Sequence, residues 1–213
     1  MPSKSAAAPD SPFRSREGRL DDRARKREAV LRAAVRMFNE RGFHSASLDE
    51  VAASLGISKP TIYHYLGNKE QVLIECVTRG LEQLSTAAEQ SRKAPGTGLD
   101  RLMTFLRRYA QVNMDDFGRC VIRTGDESLS PVGAEQFRAR KREIDRSLRK
   151  LIEDAVADGS AADCDVRLTA FALAGALNGP ARWYDPDGPM SPEEVARRLV
   201  EQLVTGIAPR PAA

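Results

Sequence analysis

The most constraining feature of this chain is the stretch 47–69, with the sequence SLDEVAASLGISKPTIYHYLGNK, whose pattern predicts two short helices joined by a tight turn. Gly56 stands where the chain must leave the first helix in a left-handed conformation, which glycine adopts at the least cost. Ser58 can cap the second helix, and Pro60 stands in its first turn, where a missing N–H costs nothing. The pattern therefore predicts a helix-turn-helix.

Apolar and polar residues of this segment fall on different faces of the two predicted helices. Helical spacing places inward Val51, Ala52, Leu55, Ile57, Ile62 and Tyr65. The outward positions are Ser58, Lys59, Thr61, Tyr63 and His64. Their hydroxyl, cationic, phenolic and imidazole groups suit a surface that meets phosphate oxygens and base edges in a major groove. The alternative is a plain helical hairpin, which has the same spacing.

A helix before this segment is predicted to brace it. Asp21 or Asp22 can cap a helix that runs to Arg41 and is closed by Gly42. The first turn of this helix, 23–27, carries four cations, including Arg25 and Lys26. These cations could reach a backbone phosphate or the minor groove, or they could form a solvated helix end. The sequence leaves both interpretations open.

The stretch from about residue 23 to residue 81 resembles the DNA-binding domain of the TetR family of one-component bacterial regulators. The matching positions are Phe38, Gly42, Ser47, Val51, Ala52, Gly56, Ser58, Thr61, Tyr63, His64, Tyr65, Lys69 and Glu70. Leu66 replaces the phenylalanine common in the family, which alters packing beneath the second helix only. With the basic turn included, the predicted contacts to a double-stranded DNA operator are Arg25, Lys26, Ser47, Ser58, Lys59, Thr61, Tyr63, His64, Tyr65 and Lys69.

The charge distribution and the cysteines are consistent with a DNA-binding protein but would not identify one by themselves. The net charge of the chain is only +3, but residues 1–70 carry 13 Lys and Arg against 9 Asp and Glu. The three cysteines lie far apart in the sequence with no metal-ligand spacing, so we expect neither a disulfide framework nor a metal site. We expect a cytoplasmic protein with no membrane partner, since no apolar run approaches the roughly 20 residues needed to cross a bilayer.

The predicted fold class is all-α, because no alternating strand pattern occurs anywhere. We expect a disordered basic tail over 1–20 and a three-helix helix-turn-helix domain over 21–67. A larger helical ligand-binding and dimerisation domain is expected over 68–208. Its predicted helices are 68–92, 99–114, 119–126, 130–158, 165–183 and 192–206. Asn68 with Gln71 predicts a capping box at the first of these helices, and Ser191 with Glu194 predicts another at the last.

The last two long helices are the predicted homodimer interface. The helix 165–183 is apolar on most faces and rich in Ala and Gly, so neighbouring helices can approach it closely. Together with 192–206 it could form a four-helix interface with a second copy of the chain. The alternative is that both helices only close the core of the monomer. The resemblance to the TetR family favours the dimer, which would present two recognition helices to a palindromic site.

Aromatic residues on several C-terminal helices are candidates for an apolar effector pocket, although such residues more often belong to a core. The predicted ligand contacts are Phe105, Tyr109, Phe117, Phe137, Arg140, Phe171, Asn178, Arg182 and Trp183. The segment 174–194 resembles TetR-type regulators of lipid and aromatic-acid catabolism, several of which respond to acyl-CoA thioesters. The resemblance thus implies an acyl-CoA effector, with cations between 138 and 149 for its phosphates. A solvated basic helix face is the alternative.

The function predicted from the sequence is a ligand-responsive DNA-binding regulator, most simply a repressor that an effector releases from its operator. An alternative is a regulator of drug or stress efflux that senses a CoA-free hydrophobic compound. An enzyme is the rival from another class, but His44 and His64 are the only histidines, and neither has a nucleophile placed to use it. We therefore expect no catalytic residues and no cofactor. Architectural DNA binding without sequence preference is a third possibility.

Overall fold

The structure, a computed structural model, describes residues 16–205, which are all-α with no strand among them. The helices are α1 Arg16–Arg41, α2 Leu48–Ser54, α3 Lys59–Leu66, α4 Lys69–Arg92, α5 Gly98–Met114, α6 Asp116–Arg123, α7 Pro131–Ala157, α8 Val166–Asn178, α9 Pro180–Trp183 and α10 Pro192–Thr205. The predicted fold class is confirmed. No helix within residues 16–205 is both long enough and apolar enough to span a bilayer.

Helices α1, α2 and α3, hereafter the head, form the helix-turn-helix part of the chain. The first helix begins at Arg16, so the prediction of a start at Asp21 or Asp22 was wrong. Both aspartates lie inside α1, where Asp22 pairs with Arg25. Residues 1–15 lie outside the described part of the chain, so most of the predicted basic tail is not tested.

Helix α4 connects the head to the rest of the molecule and is separated from α3 by two residues, Gly67 and Asn68. Its start is fixed by a capping box: the Gln71 backbone N–H donates to Asn68 Oδ1 at 2.8 Å, and the Asn68 N–H donates to Gln71 Oε1 at 3.0 Å. This confirms the predicted cap. One face of α4 is buried along its whole length, from Val72 to Ser91. The helix packs against α5, α6 and α7 and so belongs to the larger domain.

The connection from α5 to α6 is shorter than the sequence predicted, because Asp115 alone separates the two helices. Asp115 caps α6 by accepting a hydrogen bond from the Phe117 N–H, so the helix begins at Asp116 and ends at Arg123. The predicted helix 119–126, with a break at 115–118, was therefore displaced by three residues. A Cβ on Gly118 would lie 1.8 Å from the carbonyl oxygen of Val112. Only glycine, which has no Cβ, fits at this position of α6. Gly118 therefore permits the close approach of α6 to the last turn of α5.

The predicted helix 165–183 is divided into α8 and α9. Pro180 has no N–H to continue the helical hydrogen bonds, so α8 ends at Asn178 and a short helix follows. Helix α8 packs on α5 and α7, whereas α10 packs on α5. The Ser191 cap of α10 is confirmed by a hydrogen bond from the Glu194 N–H at 3.2 Å. Its predicted end at residue 206 lies outside the described residues.

Candidate DNA-reading surface and effector cavity

The turn between α2 and α3 has the geometry that its sequence predicted. Gly56 has φ of +64°, and the Ile57 N–H closes the turn on the Ala52 carbonyl at 3.0 Å. Ser58 is the N-cap of α3 and accepts a hydrogen bond from the Thr61 N–H. Of the predicted inward residues, Leu55 is 39% exposed, which corrects that assignment. Leu55 lies at the C-cap of α2, beyond the buried face of that helix.

The outward face of α3 combines an exposed aromatic ring with hydrogen-bonding groups. Tyr63 is 48% exposed. Lys59 forms an ion pair with Asp49 at 2.8 Å, and the hydrogen bond from this carboxylate raises the pKa of Lys59. The hydroxyls of Ser58 and Thr61 are 2.8 Å apart. Ser58, Lys59 and Tyr63 are thus exposed to solvent, and Thr61 is half-buried.

Residues 22–26 of α1, about two turns after its start, lie beside the end of α3. His64 Nε2 is 3.3 Å from a guanidinium nitrogen of Arg23. His64, Arg23 and the half-buried Tyr65 line a shallow polar hollow together with Asp22 and Lys26. Arg25, by contrast, forms ion pairs with Asp21 and Asp22 on its own helix. The predicted basic turn thus adjoins the end of α3, where Arg23 and Lys26 are exposed cations beside His64 and Tyr65.

Two further residues predicted to bind DNA have partners inside the head. Ser47 is the N-cap of α2, and its hydroxyl accepts a hydrogen bond from the Asp49 N–H at 3.2 Å. Lys69 Nζ donates to the His44 carbonyl at 3.1 Å and lies 4.5 Å from the centre of the Phe43 ring. Partial burial lowers the pKa of Lys69. Ser47 thus stabilises the start of α2, and Lys69 stabilises the loop between α1 and α2.

A cavity of about 730 Å³ lies between α7 and α8 and reaches inward to α4; it is called the effector cavity below. Its apolar lining includes Leu81, Leu84, Val121, Ile122, Ile144, Leu148, Phe171 and Ala174. Its polar lining is Tyr109, Lys141, Arg142, Asp145, Arg149, Asn178 and Arg182. The volume falls within the usual range for sites that hold a small organic molecule.

The structure brings together four of the nine predicted ligand residues, namely Tyr109, Phe171, Asn178 and Arg182. The other five do not line the effector cavity. Phe105, Phe117 and Phe137 are buried in the core at 0 to 2% exposure. Arg140 lies near Glu82 at 3.5 Å, and Trp183 is 57% exposed on α9. Helical spacing identified these rings as inward or outward but could not show which of them border an empty space.

Cations gather at the outer end of the effector cavity. Arg149 is paired with Asp145 at 2.7 Å, and Arg142 with Glu135 at 2.8 Å. Lys141 and Arg182 form no ion pair with any described residue. Lys141 instead lies 4.8 Å from the centre of the Phe137 ring. An apolar interior with two unpaired cations at its edge suits an amphipathic anion.

The inner wall of the cavity holds one polar cluster. The Tyr109 hydroxyl donates to Asn178 Oδ1 at 3.0 Å, and Asn113 Nδ2 donates to the same oxygen at 3.1 Å. Burial raises the pKa of Tyr109 to about 12, so its hydroxyl stays protonated and donates. Sequence reasoning missed Asn113, because a single amide on a helix gives no pattern. No cluster of three or more His, Cys, Asp or Glu in residues 16–205 could hold a metal ion.

Comparison with known proteins gives the family. A family model described as "Tetracyclin repressor-like, C-terminal domain" matches residues 95–207, which is more than half of the chain. The chain belongs to the TetR family. A second model, described as "Bacterial regulatory proteins, tetR family", matches residues 30–76 and covers the helix-turn-helix. The chain is accordingly a ligand-responsive, DNA-binding transcriptional regulator, as its sequence predicted.

Individual relatives resemble this TetR-family chain over nearly its whole length. The transcriptional repressor KstR2 of Mycolicibacterium smegmatis is 27% identical over 210 residues, 94% of this chain and 95% of the relative. The crystal structure of the TetR-family regulator PfmR of Thermus thermophilus is 30% identical with a TM-score of 0.75, over 84% of this chain and 99% of that one. The structure of AibR with isovaleryl coenzyme A and operator DNA has the same fold, at 22% identity and a TM-score of 0.72, over 85% and 100% of the two chains.

Proposed function

We propose that this regulator is a repressor that binds a palindromic operator as a symmetric dimer and leaves it when a small amphipathic effector enters the effector cavity. The observation that carries the proposal is the course of α4. This helix begins at the Asn68 cap, two residues after α3, and its residues Leu81 and Leu84 form part of the cavity wall. An effector that pushes on this wall therefore acts on the helix to which the head is attached.

A second connection between cavity and head runs through α6. Val121 and Ile122 of α6 line the cavity, and the Asn39 amide of α1 donates to the Asp116 carbonyl at 2.9 Å. Helices α4 and α6 are in close contact, since a Cβ on Gly80 would lie 2.6 Å from a methyl carbon of Val121. An effector that binds better when these helices are displaced shifts the population away from the DNA-competent form.

The proposed DNA contacts are the exposed residues of α3 and of the adjoining part of α1. Tyr63, His64 and Thr61 are proposed to meet base edges, with Ser58, Lys59, Arg25 and Lys26 on phosphates. We propose that Ser47, Tyr65 and Lys69 contribute mainly by positioning α2, α3 and the loop before α2. A high ratio of specific to non-specific DNA affinity at fixed salt supports these base contacts, whereas a ratio near one indicates an architectural protein.

The proposed dimer interface is formed by the outer faces of α8 and α10. Leu168 and Phe171 of α8 are 65% and 51% exposed in the single chain, which is unusual for large apolar residues on one helix. The inner face of α10 packs on α5, so its outer face is available to a second copy. Two α8 and two α10 helices would form a four-helix contact, in which the Leu168 side chains are shielded from water.

The proposed effector is an acyl-CoA thioester, and the alternative is a CoA-free hydrophobic compound. The unpaired Lys141 and Arg182 at the edge of the cavity favour an anionic group attached to an apolar one. AibR, whose structure contains isovaleryl coenzyme A, supports the same class of molecule. The apolar lining alone would serve either effector, so it is the two cations that support the proposal of a thioester.

The experiment measures fluorescence anisotropy of an operator selected from a random DNA pool, with octanoyl-CoA or a CoA-free hydrophobe added. We expect octanoyl-CoA to release the DNA, and the variant Lys141→Ala with Arg182→Ala to need about 10-fold more of it. Lys150→Ala is the control, because Lys150 lies on α7 but is paired with Asp154 at 2.8 Å. Calorimetry that finds no acyl-CoA binding, while a CoA-free compound releases the DNA, would overturn the thioester.

A further inference from the structure

The Asn178 side chain has a fixed orientation at the wall of the effector cavity. Its Oδ1 accepts hydrogen bonds from the Tyr109 hydroxyl at 3.0 Å and from Asn113 Nδ2 at 3.1 Å. Asn113 Nδ2 also donates to the Leu177 carbonyl at 3.1 Å, which fixes the orientation of that amide. Because two donors converge on one atom of the Asn178 amide, that atom must be the oxygen.

The same arrangement leaves the Asn178 amide nitrogen as a donor at the cavity. Nδ2 has no acceptor among the described residues, although Asn178 is part of the cavity lining. The neighbouring lining is apolar and includes Leu81, Leu84 and Leu148. Nδ2 is not among the buried atoms that lack a partner, so water can serve as its acceptor while the cavity is empty. A ligand that displaces this water leaves the N–H unpaired, at a cost in free energy, unless the ligand itself supplies an acceptor.

No other neutral side chain of the cavity lining offers a free donor; the remaining donors belong to charged groups, among them Arg149 Nε, which is buried without a partner among the described residues. The Asp145 carboxylate is paired with Arg149 at 2.7 Å. The Tyr109 proton is used in the bond to Asn178. The buried Asn113 Oδ1 has no partner, but Asn113 does not line the cavity. The cavity therefore presents a single oriented neutral donor to the apolar part of a ligand.

We propose that Asn178 is a subsite that selects effectors with a carbonyl oxygen next to their apolar part, which accepts a hydrogen bond from Nδ2. The apolar chain then lies against Leu81 and Leu84, and the anionic end points to Lys141 and Arg182. The inference rests on the proposed function only in placing the effector in this cavity. The carbonyl oxygen is the group that distinguishes an effector from a hydrocarbon of the same size.

Two matched ligand pairs test the subsite by calorimetry on the full chain. Octanoyl-CoA is compared with S-octyl-CoA, which has a methylene in place of the thioester carbonyl. The ketone 4-phenyl-2-butanone is compared with butylbenzene, which gives the same contrast without coenzyme A. We expect the carbonyl member of at least one pair to bind about 10- to 100-fold more tightly than its twin, because the twin leaves the N–H unpaired.

Asn178→Asp removes the donor with little change of shape. The carboxylate keeps an oxygen for the Tyr109 and Asn113 hydrogen bonds and places a second oxygen where Nδ2 was. We expect the preference for the carbonyl member to fall to about 1 or below, since neither twin then meets a donor and the carboxylate repels a carbonyl oxygen. Gln136→Glu is the control: it adds the same charge at an exposed position of α7 that does not line the cavity, and we expect it to leave the ratio between twins unchanged. Asn178→Leu is a second variant with the same expected loss of preference.

Each outcome decides the subsite. Equal binding of the twins in both pairs, no binding of any of the four, or a preference that persists in Asn178→Asp overturns it. Operator release is measured separately on the same samples. Release without carbonyl preference refutes the subsite and leaves the proposed function standing, whereas carbonyl preference without release supports the subsite and refutes effector-controlled repression.

Discussion

Arg27 of α1 and Glu75 of α4 form a two-pronged ion pair, with Nη1 2.8 Å from Oε1 and Nη2 2.5 Å from Oε2. The Arg27 Nε also donates to the Tyr65 carbonyl of α3 at 3.2 Å, so one guanidinium connects three helices. Arg79 extends the pair by bonding Glu75 at 2.7 Å and Glu28 at 2.5 Å. This network joins the head to the first half of α4, the connection that the proposed release of DNA depends on.

Glu75→Gln should lower the free energy of unfolding by about 1 kcal/mol at neutral pH, a modest value because both side chains are partly exposed. The hydrogen bonds from Arg27 hold the pKa of Glu75 below its usual range. A folded-state pKa below the unfolded value of about 4.3 gives stability that is present above that value and is lost as the pH falls through the folded one. The difference from wild type should therefore shrink in acid.

Urea unfolding at fixed protein concentration, at neutral pH and at about pH 3.5, measures this difference. Glu153→Gln on α7 is the control, because this carboxylate is exposed and has no ion pair among the described residues. The control should behave like wild type at both pH values. A Glu75→Gln difference that stays constant with pH would contradict the assigned role of the ion pair.

Tyr63→Ala should weaken specific operator binding by about 10- to 100-fold and leave non-specific binding nearly unchanged, because we propose that its exposed ring contacts base edges. Tyr63 is 48% exposed, so its removal should have little effect on folding, which thermal unfolding checks. Anisotropy titrations with operator and with scrambled DNA at one salt concentration give both affinities. Unchanged operator affinity would show that α3 is not the recognition helix.

Lys26→Ala should reduce the slope of log affinity against log salt by about one unit per protomer, since a phosphate contact releases one counterion. The loss should be similar for operator and scrambled DNA. Lys150→Ala, on α7 and paired with Asp154, should leave the slope unaltered. If Lys26→Ala keeps the wild-type slope, the basic turn of α1 is a solvated helix end.

Leu168→Asp should convert the dimer to a monomer, because the carboxylate would be buried against the second copy of α8 without a partner. Val132→Asp is the matched control: Val132 is 69% exposed on α7, away from the proposed interface. Sedimentation velocity gives the mass of each variant, and operator titration should show weaker binding only for the monomer. A dimeric Leu168→Asp would exclude this face of α8 as the interface.

The sequence predicted the local elements well where side chains close to one another along the chain determine them. The Gly56 turn, the Ser58 cap and the Asn68–Gln71 capping box depend on residues within four positions, and the structure confirms all three. The start of α1, both ends of α6 and the end of α8 were predicted less accurately. Gly118 permits a close approach to the Val112 carbonyl, which is a tertiary constraint that helical spacing does not reveal.

The sequence by itself determined the all-α class, the helix-turn-helix and the family resemblance, because hydrophobic period, caps and turn residues act over a few positions. Only the tertiary structure decided which inward residues border an empty space. Phe105 and Tyr109 are neighbours on the same face of α5, yet one fills the core and the other lines the effector cavity. The same is true of Asn178, whose free donor results from hydrogen bonds to residues 65 and 69 positions away in the chain.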